Sequence, residues 1–408
     1  MQGAAAAPSQ GRAAPAATVA TSLVPASRIV ARAQIRHDAP GAMMRLRAAL
    51  GPEPLDLALI FATPQADAGR LAREAARAFG DTTVMGCTTA GEIGAEGYAE
   101  GEIVALGLPR AHFRTAVLTV EGLDGLDPRA TAEAVAAARA RLASVAPQFA
   151  EGFAFLVVDG LSAAEDSLAA AMAAGLGGPG GMPLIGGSAG DGDRFGSAFV
   201  MHGGRAVANA AALALVRTDC RVRVFQTDHL LPTGTRMVVT GADPARRLVT
   251  EINAEPAARE YARLVGRAPE DLTSFTFAAH PLVVRAGGRH HVRAIQRVEG
   301  EGLRFFSAID EGLVLTLART GDMTAHLARE LAALSAEGEP EAILACDCIL
   351  RRVEAEERQL GGALGGLLSR HRVVGFSTYG EQLGALHVNQ TLTGAAIYPP
   401  RHPAHKRA

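Results

Sequence analysis

From residue 55 onward, short unbroken apolar runs alternate with alanine-rich stretches whose apolar residues recur every three or four positions. DLALIFAT (56–63) predicts a buried strand and 66–79 a helix. A strand at 102–108 (EIVALGL) and another at 113–120 follow, then a helix opening at Asp127-Pro128, where proline suits the first turn. GFAFLVVD (152–159) predicts the next buried strand, leading into a helix with Ser162 as its N-cap. This is the rhythm of an α/β chain.

A glycine cluster after residue 176 breaks the rhythm, and strand-like segments follow between 197 and 240. A helix over 256–265 precedes FTFAAHPLVVRAGG and HHVRAIQRV, which read as paired strands turning at Gly287-Gly288. Residues 322–334 are helical, EAILACDC (341–348) is a strand, and one long helix runs to about residue 370. Strands at 372–376 and 385–398 close the pattern. The fold class is therefore α/β (α+β), with mixed sheets flanked by helices. The change of pattern near residue 250 divides the chain into domains over 54–250 and 251–400. Residues 1–28, rich in Ala, Pro, Ser and Thr, are expected to be a disordered tail.

Charge narrows the function classes. Forty basic residues against forty-two acidic ones, net −2, do not suit a nucleic-acid partner, which calls for concentrated positive charge. No stretch reaches the ~18 apolar residues of a membrane span. Cys87, Cys220, Cys346 and Cys348 are too few and scattered for a disulfide framework, and Cys346-Asp-Cys348 lacks Cys-x-x-Cys spacing. A cytoplasmic setting is expected, with the cysteines as small buried hydrophobes.

Three stretches share a local grammar: MGCTTAGEI (85–93), IGGSAGDGD (185–193) and VGFSTYGEQ (374–382). In each, an apolar run meets a glycine (Gly86, Gly187, Gly375), then small hydroxyl-bearing residues, then a second glycine (Gly91, Gly190, Gly380) before an acid (Glu92, Asp191, Glu381). Three readings are open. The motif is a strand-end turn in a duplicated framework, in which the second glycines supply angles other residues avoid. It is a ligand-contacting loop. Or it is a nucleophile elbow using Ser188 or Ser377, although neither serine shows Gly-x-Ser-x-Gly between a strand and a helix.

Taken in order, MGCTTAGEI, LIGGSAGDG, the block at 240–266, HPLVVRAGGRHHVRAIQRV (280–298), FFSAIDEGLVLTLA (305–318) and VVGFSTYGEQLGALHVNQTLTGAAIY (373–398) resemble the FIST family of bacterial sensory proteins, from about residue 54 to 400. That resemblance implies a FIST N-terminal and a FIST C-terminal domain, and a non-enzymatic sensor. HVNQTLTGAAI and the EIN-x-EPAAREYARLVG block are most similar to the haem-dependent nitric-oxide-sensing branch. It implies haem b, nitric oxide as ligand, and output through a histidine kinase or a cyclic-di-GMP enzyme (diguanylate cyclase or phosphodiesterase) in two-component and biofilm regulation. The chain departs from the pattern at Asn253-Ala254-Glu255, where a glycine is expected after the asparagine.

A non-covalent haem needs an apolar pocket, an axial ligand and cations for the propionates. His229, at a strand end before Leu230-Leu231-Pro232, is the first candidate for the iron, and His387, between Leu386 and Val388, the second. His280 follows, Tyr261 and Tyr379 are weaker oxygen ligands, and Arg285 and Arg293 are propionate partners. The alternatives are a small metabolite such as an amino acid, gripped through its amine by Glu92, Asp191 or Glu381, and a serine hydrolase.

Overall fold

The computed structural model describes residues 29–286 and 289–400. The first unit runs β1 (Ala31–Arg36), α1 (Ala42–Ala49), β2 (Leu55–Ala62), α2 (Ala68–Phe79) and β3 (Thr83–Thr88), then a hairpin, β4 (Glu92–Gly94) and β5 (Gly97–Ala99), and a return strand, β6 (Glu102–Pro109). The second repeats it: β7 (Phe113–Glu121), α3 (Pro128–Val145), β8 (Glu151–Asp159), α4 (Glu165–Gly175), β9 (Leu184–Ala189), hairpin β10 (Val200–His202) and β11 (Arg205–Val207), and return strand β12 (Ala210–Thr218). β13 (Cys220–Thr227) starts a third unit that an insertion interrupts.

The insertion comprises β14 (Leu230–Asp243), β15 (Leu248–Ile252), β16 (Glu255–Pro256), α5 (Ala257–Val265), α6 (Ser274–Ala279), β17 (Leu282–Ala286), β18 (Arg289–Arg293), β19 (Ile295–Glu299), β20 (Gly302–Phe305) and β21 (Val314–Thr320). Its strands form one eight-stranded sheet joined through the long β14. The third unit then resumes with α7 (Met323–Ser335), β22 (Ala342–Cys348), α8 (Ile349–Glu357), α9 (Gly361–Arg370), β23 (Val373–Thr378), hairpin β24 (Glu381–Leu383) and β25 (Leu386–Val388), and return strand β26 (Leu392–Pro400).

Each unit has the same strand order, β1-β6-β2-β3, β7-β12-β8-β9 and β13-β26-β22-β23, with only the last pair parallel. Its hairpin pairs elsewhere. β4 joins β23, β24 joins β9, and β10 joins β3, so each unit lends a hairpin to another and the exchange closes in a ring. The parallel strands explain the unbroken apolar runs, since both faces are covered. Leu57, Leu59 and Phe61 of β2, Phe153, Phe155 and Val157 of β8, and Leu344 and Cys346 of β22 meet in one central core. The alternate residues Ala58 and Ile60, Ala154 and Leu156, and Ile343 and Ala345 face the outer helices. At the centre Phe61 stacks on Phe376 at 4.7 Å and meets Phe155 edge-on at 6.0 Å.

Some local expectations hold and others are corrected. The Asp127 side chain caps α3, accepting from Arg129 N and Ala130 N. Ser162 is not the N-cap: its hydroxyl donates back to Asp159 O and accepts from Ala164 N at 3.4 Å, and α4 begins only at Glu165. FTFAA is α6, not a strand, nucleated by a Thr273–Thr276 capping box. The single long helix is two, α8 and α9, separated by Gln359 at φ +57°. β17 and β18 do pair, with Gly287-Gly288 outside the described residues. The tail over 1–28 also lies outside them. The change near residue 250 falls at β15, inside the inserted sheet, so the two halves of the chain share that sheet.

The departure at Asn253-Ala254 has a structural meaning. The two residues turn between β15 and β16 at φ +54° and +62°, both left-handed. Asn253 suits this, its Oδ1 accepting from Val238 N at 3.0 Å, but Ala254 carries a Cβ where glycine has none. Ala254→Gly is therefore expected to stabilise the protein by about 1 kcal/mol in urea unfolding; a lower midpoint would contradict the strain.

Candidate functional site

The ends of β2, β3 and β9 and the first turns of α8 surround a cleft of about 450 Å³. Thr63, Ala90, Gly91 and Glu92, the loop from Asp191 to Arg194, Glu100, and Ile349, Arg352 and Glu356 are on its wall. Arg352 is the central cation. Its side chain is 6% exposed, with Nε on Glu356 at 2.9 Å, Nη2 on Glu100 at 3.0 Å and Nη1 on Ala99 O at 3.2 Å. Both carboxylate partners are mostly exposed, 57% and 72%, so solvent weakens their hold. Gly91, at φ +123°, lies so close that a Cβ would overlap the guanidinium. Arg352 carries no signature in the sequence.

Glu92 closes the floor. It is wholly buried, accepting from Thr89 Oγ1 at 2.5 Å and from Glu102 N at 3.3 Å. Burial pushes its carboxyl up to about 7 against these hydrogen bonds and Arg352. That carboxyl forms part of the cleft wall.

The other motif residues are framework. Gly86 and Gly375 lie inside strands where a Cβ would overlap the carbonyl of Ile60 and Ala345 in the parallel neighbour, and Gly186 does the same against Leu156. Gly187 faces Phe376 and Cys346 in the core. Gly190 and Gly380 do not supply unusual angles: their lack of a Cβ makes room for the Tyr379 ring and for His387, respectively. Asp191 lines the cleft, but its carboxylate closes its own loop, accepting from Tyr379 Oη at 2.5 Å, Gly196 N at 3.0 Å and Ser197 N at 2.9 Å. Glu381 is buried away from the cleft, bonded to Thr391 at 2.6 Å, with burial holding its carboxyl well above the usual range. Asp191 is thus committed to its loop, and Glu381 is not on the cleft wall. Ser188 Oγ, fully buried, accepts from Gln382 Nε2 at 3.0 Å, and Ser377 Oγ is buried without a hydrogen-bond partner. Neither stands on an exposed elbow.

The haem candidates are dispersed. His229 is buried with both ring nitrogens engaged, Nδ1 accepting from Arg351 at 3.0 Å and Nε2 donating to Glu354 at 2.9 Å. No nitrogen is left for iron. His387 Nδ1 lies 3.2 Å from Gln382 Nε2, and its Nε2 is buried without a hydrogen-bond partner. That nitrogen also abuts Gly380, where a Cβ would sit 2.6 Å away, leaving no depth for a porphyrin. The hydroxyls of Tyr261 and Tyr379 are spent on His280 O (2.8 Å) and Asp191. In the β17–β18 ladder Leu282 faces Arg293 and Arg285 faces His290, which puts Arg285 and Arg293 on opposite faces of the hairpin. They cannot clamp one haem. His280 is half-buried, on the α6–β17 link. These residues do not form a haem pocket.

His229 instead belongs to a buried ionic chain. Tyr98 of β5 donates to Asp347, Asp347 pairs with Arg351 at 2.6 Å, and Arg351 meets His229, which bonds Glu354. The chain ties β5, β22 and α8 to the start of β14. One turn of α8 thus places Arg352 in the cleft and Arg351 and Glu354 in this network.

Two family models match the sequence: the FIST N domain over residues 56–255 and the FIST C domain over 257–383. The chain belongs to the FIST-domain family. FIST domains are sensory, signal-transduction domains, so the two-part FIST architecture here is that of a sensor. No curated protein matches the chain. Among the described residues no helix is long and apolar enough to cross a membrane.

Because Glu92 has a raised carboxyl, the folded state holds more protons than the unfolded one between pH 4.5 and about 7. Its contribution is present below pH 4.5 and lost as pH rises through 7, by at most roughly 3 kcal/mol. Glu92→Gln should flatten the urea-midpoint profile between pH 5 and 8, gaining on the parent at the alkaline end. Parallel profiles would show that Glu92 is not the titrating group.

Proposed function

We propose that this FIST protein senses a small zwitterionic metabolite of amino-acid size in the cleft beside Arg352. The observation that carries this reading is the guanidinium itself, aimed into a 450 Å³ cleft and held by two exposed carboxylates that a ligand carboxylate can displace. Glu92, ionised when a cation approaches, supplies the counter-charge for an ammonium group. Haem-linked nitric oxide sensing, which the resemblance implies, draws less support, because both nitrogens of His229 are hydrogen-bonded and the free nitrogen of His387 is packed against Gly380.

The signal leaves through α8. A ligand that pulls on Arg352 shifts the helix whose next residues hold the Asp347–Arg351–His229–Glu354 chain, and so biases the inserted sheet. A differential of about 1 to 3 kcal/mol between two positions of α8 changes a partner's activity five- to 150-fold. That partner is a separate protein, a histidine kinase or a cyclic-di-GMP enzyme.

The test is calorimetric titration of the full chain with the proteinogenic amino acids, alongside hemin. One amino-acid class should bind at one equivalent, and Arg352→Gln should weaken it about 10- to 100-fold, the loss of a charged hydrogen-bonded contact. Stoichiometric hemin uptake with a nitric-oxide-shifted Soret band, and no amino-acid binding, would overturn this reading in favour of haem.

A further inference from the structure

Far from the cleft, three side chains from two distant parts of the sequence meet. His112 Nδ1 is 3.1 Å and 3.2 Å from the two carboxylate oxygens of Asp219, and Cys220 Sγ is 3.6 Å from Asp219 Oδ1. The nitrogen, oxygen and sulfur donors all lie within 4.8 Å of one another. Tetrahedral zinc bonds of roughly 2.0 to 2.3 Å hold their ligands about 3.3 to 3.8 Å apart, so small side-chain rotations complete the geometry.

We propose that His112, Asp219 and Cys220 bind one zinc-type divalent cation, with water as the fourth ligand. The donor set is mixed nitrogen, oxygen and sulfur, which suits a borderline-soft ion and not magnesium or calcium. A neutral imidazole, a carboxylate and a thiolate carry two negative charges, matching the ion, and the Cys220 thiol gives its proton to solvent on coordination. The floor of the site is closed and its mouth open: Cys220 is wholly buried, while the His112 and Asp219 side chains are 25% and 36% exposed. Burial first, then Asp219 and Glu341, raise the Cys220 thiol, so the ion must displace its proton. Backbone geometry fixes the pair, since Cys220 N donates to Thr218 Oγ1 at 3.0 Å and Thr218 pairs with both Phe113 and Glu151.

Position gives the ion a purpose. His112 sits where the chain passes from the first sheet to the second, between β6 and β7. Asp219, between β12 and β13, and Cys220, the first residue of β13, sit where it passes from the second to the third. Thr218 pairs with the start of β8, opposite the end of β8 that faces the glycine turns. The ion would therefore clip both sheet crossings together at the pole opposite the cleft.

The probe is cobalt(II), titrated into chelator-treated, reduced full-length protein. One equivalent should give a near-ultraviolet thiolate-to-cobalt charge-transfer band with visible d–d bands, displaced by zinc. Cys220→Ser should abolish the charge-transfer band, and His112→Gln and Asp219→Asn should each weaken binding at least tenfold. His112 lies at the surface, so His112→Gln serves where Cys220→Ser disturbs the fold, as circular dichroism will report. Absence of a thiolate charge-transfer band in the parent, or its survival unweakened in His112→Gln, overturns the site.

Discussion

At Gly86, Gly186 and Gly375 a strand lies closer to the carbonyl of its parallel neighbour than any Cβ allows. The same contact recurs three times, with Ile60, Leu156 and Ala345 as the partners, because the same unit recurs three times. Glycine there lets the strand lie tightly over its neighbour before the chain departs. What departs is a short hairpin that pairs with another unit's sheet, and three such loans close the ring. No unit completes its own sheet. The central core of Phe61, Phe155 and Phe376 is accordingly common property of all three.

The ring also explains where the cleft lies. Strand tips that surrender their hairpins to neighbours converge, and the first two tips, with the start of α8, leave space between them. Arg352 is stable in that space because Gly91 makes room for it and Glu100 and Glu356 balance its charge. On the opposite side of α8 the ionic chain is buried, and removing one member of such a pair costs about 3 to 5 kcal/mol. α8 is therefore firmly anchored on the His229 side and exchangeable on the Arg352 side, an asymmetry that a sensor can use.

How much of this the sequence discloses depends on the range of the interaction. β2 and β8 are plain in it because burial on both faces leaves an unbroken apolar run, and α3 is plain because Asp127-Pro128 is a local start signal. The recurring glycine motif is visible too, but not its purpose: β4, β10 and β24 are three residues each, and their partners lie far along the chain. His229 attracts attention through its apolar neighbours, whereas its partners Arg351 and Glu354 are 122 and 125 residues away. Arg352 has no signature of its own, since only the fold takes it from a helix surface into a cleft. His112 and Asp219, 107 residues apart, are invisible as a pair for the same reason.

Native-state hydrogen exchange along a denaturant series tests the exchanged-hairpin ring most directly. If the three units are mutually completed, amides of β4, β10 and β24 that pair with β23, β3 and β9 will share one opening free energy with the central strands β2, β8 and β22. An opening in which one unit's strands exchange while the other two stay protected would contradict it.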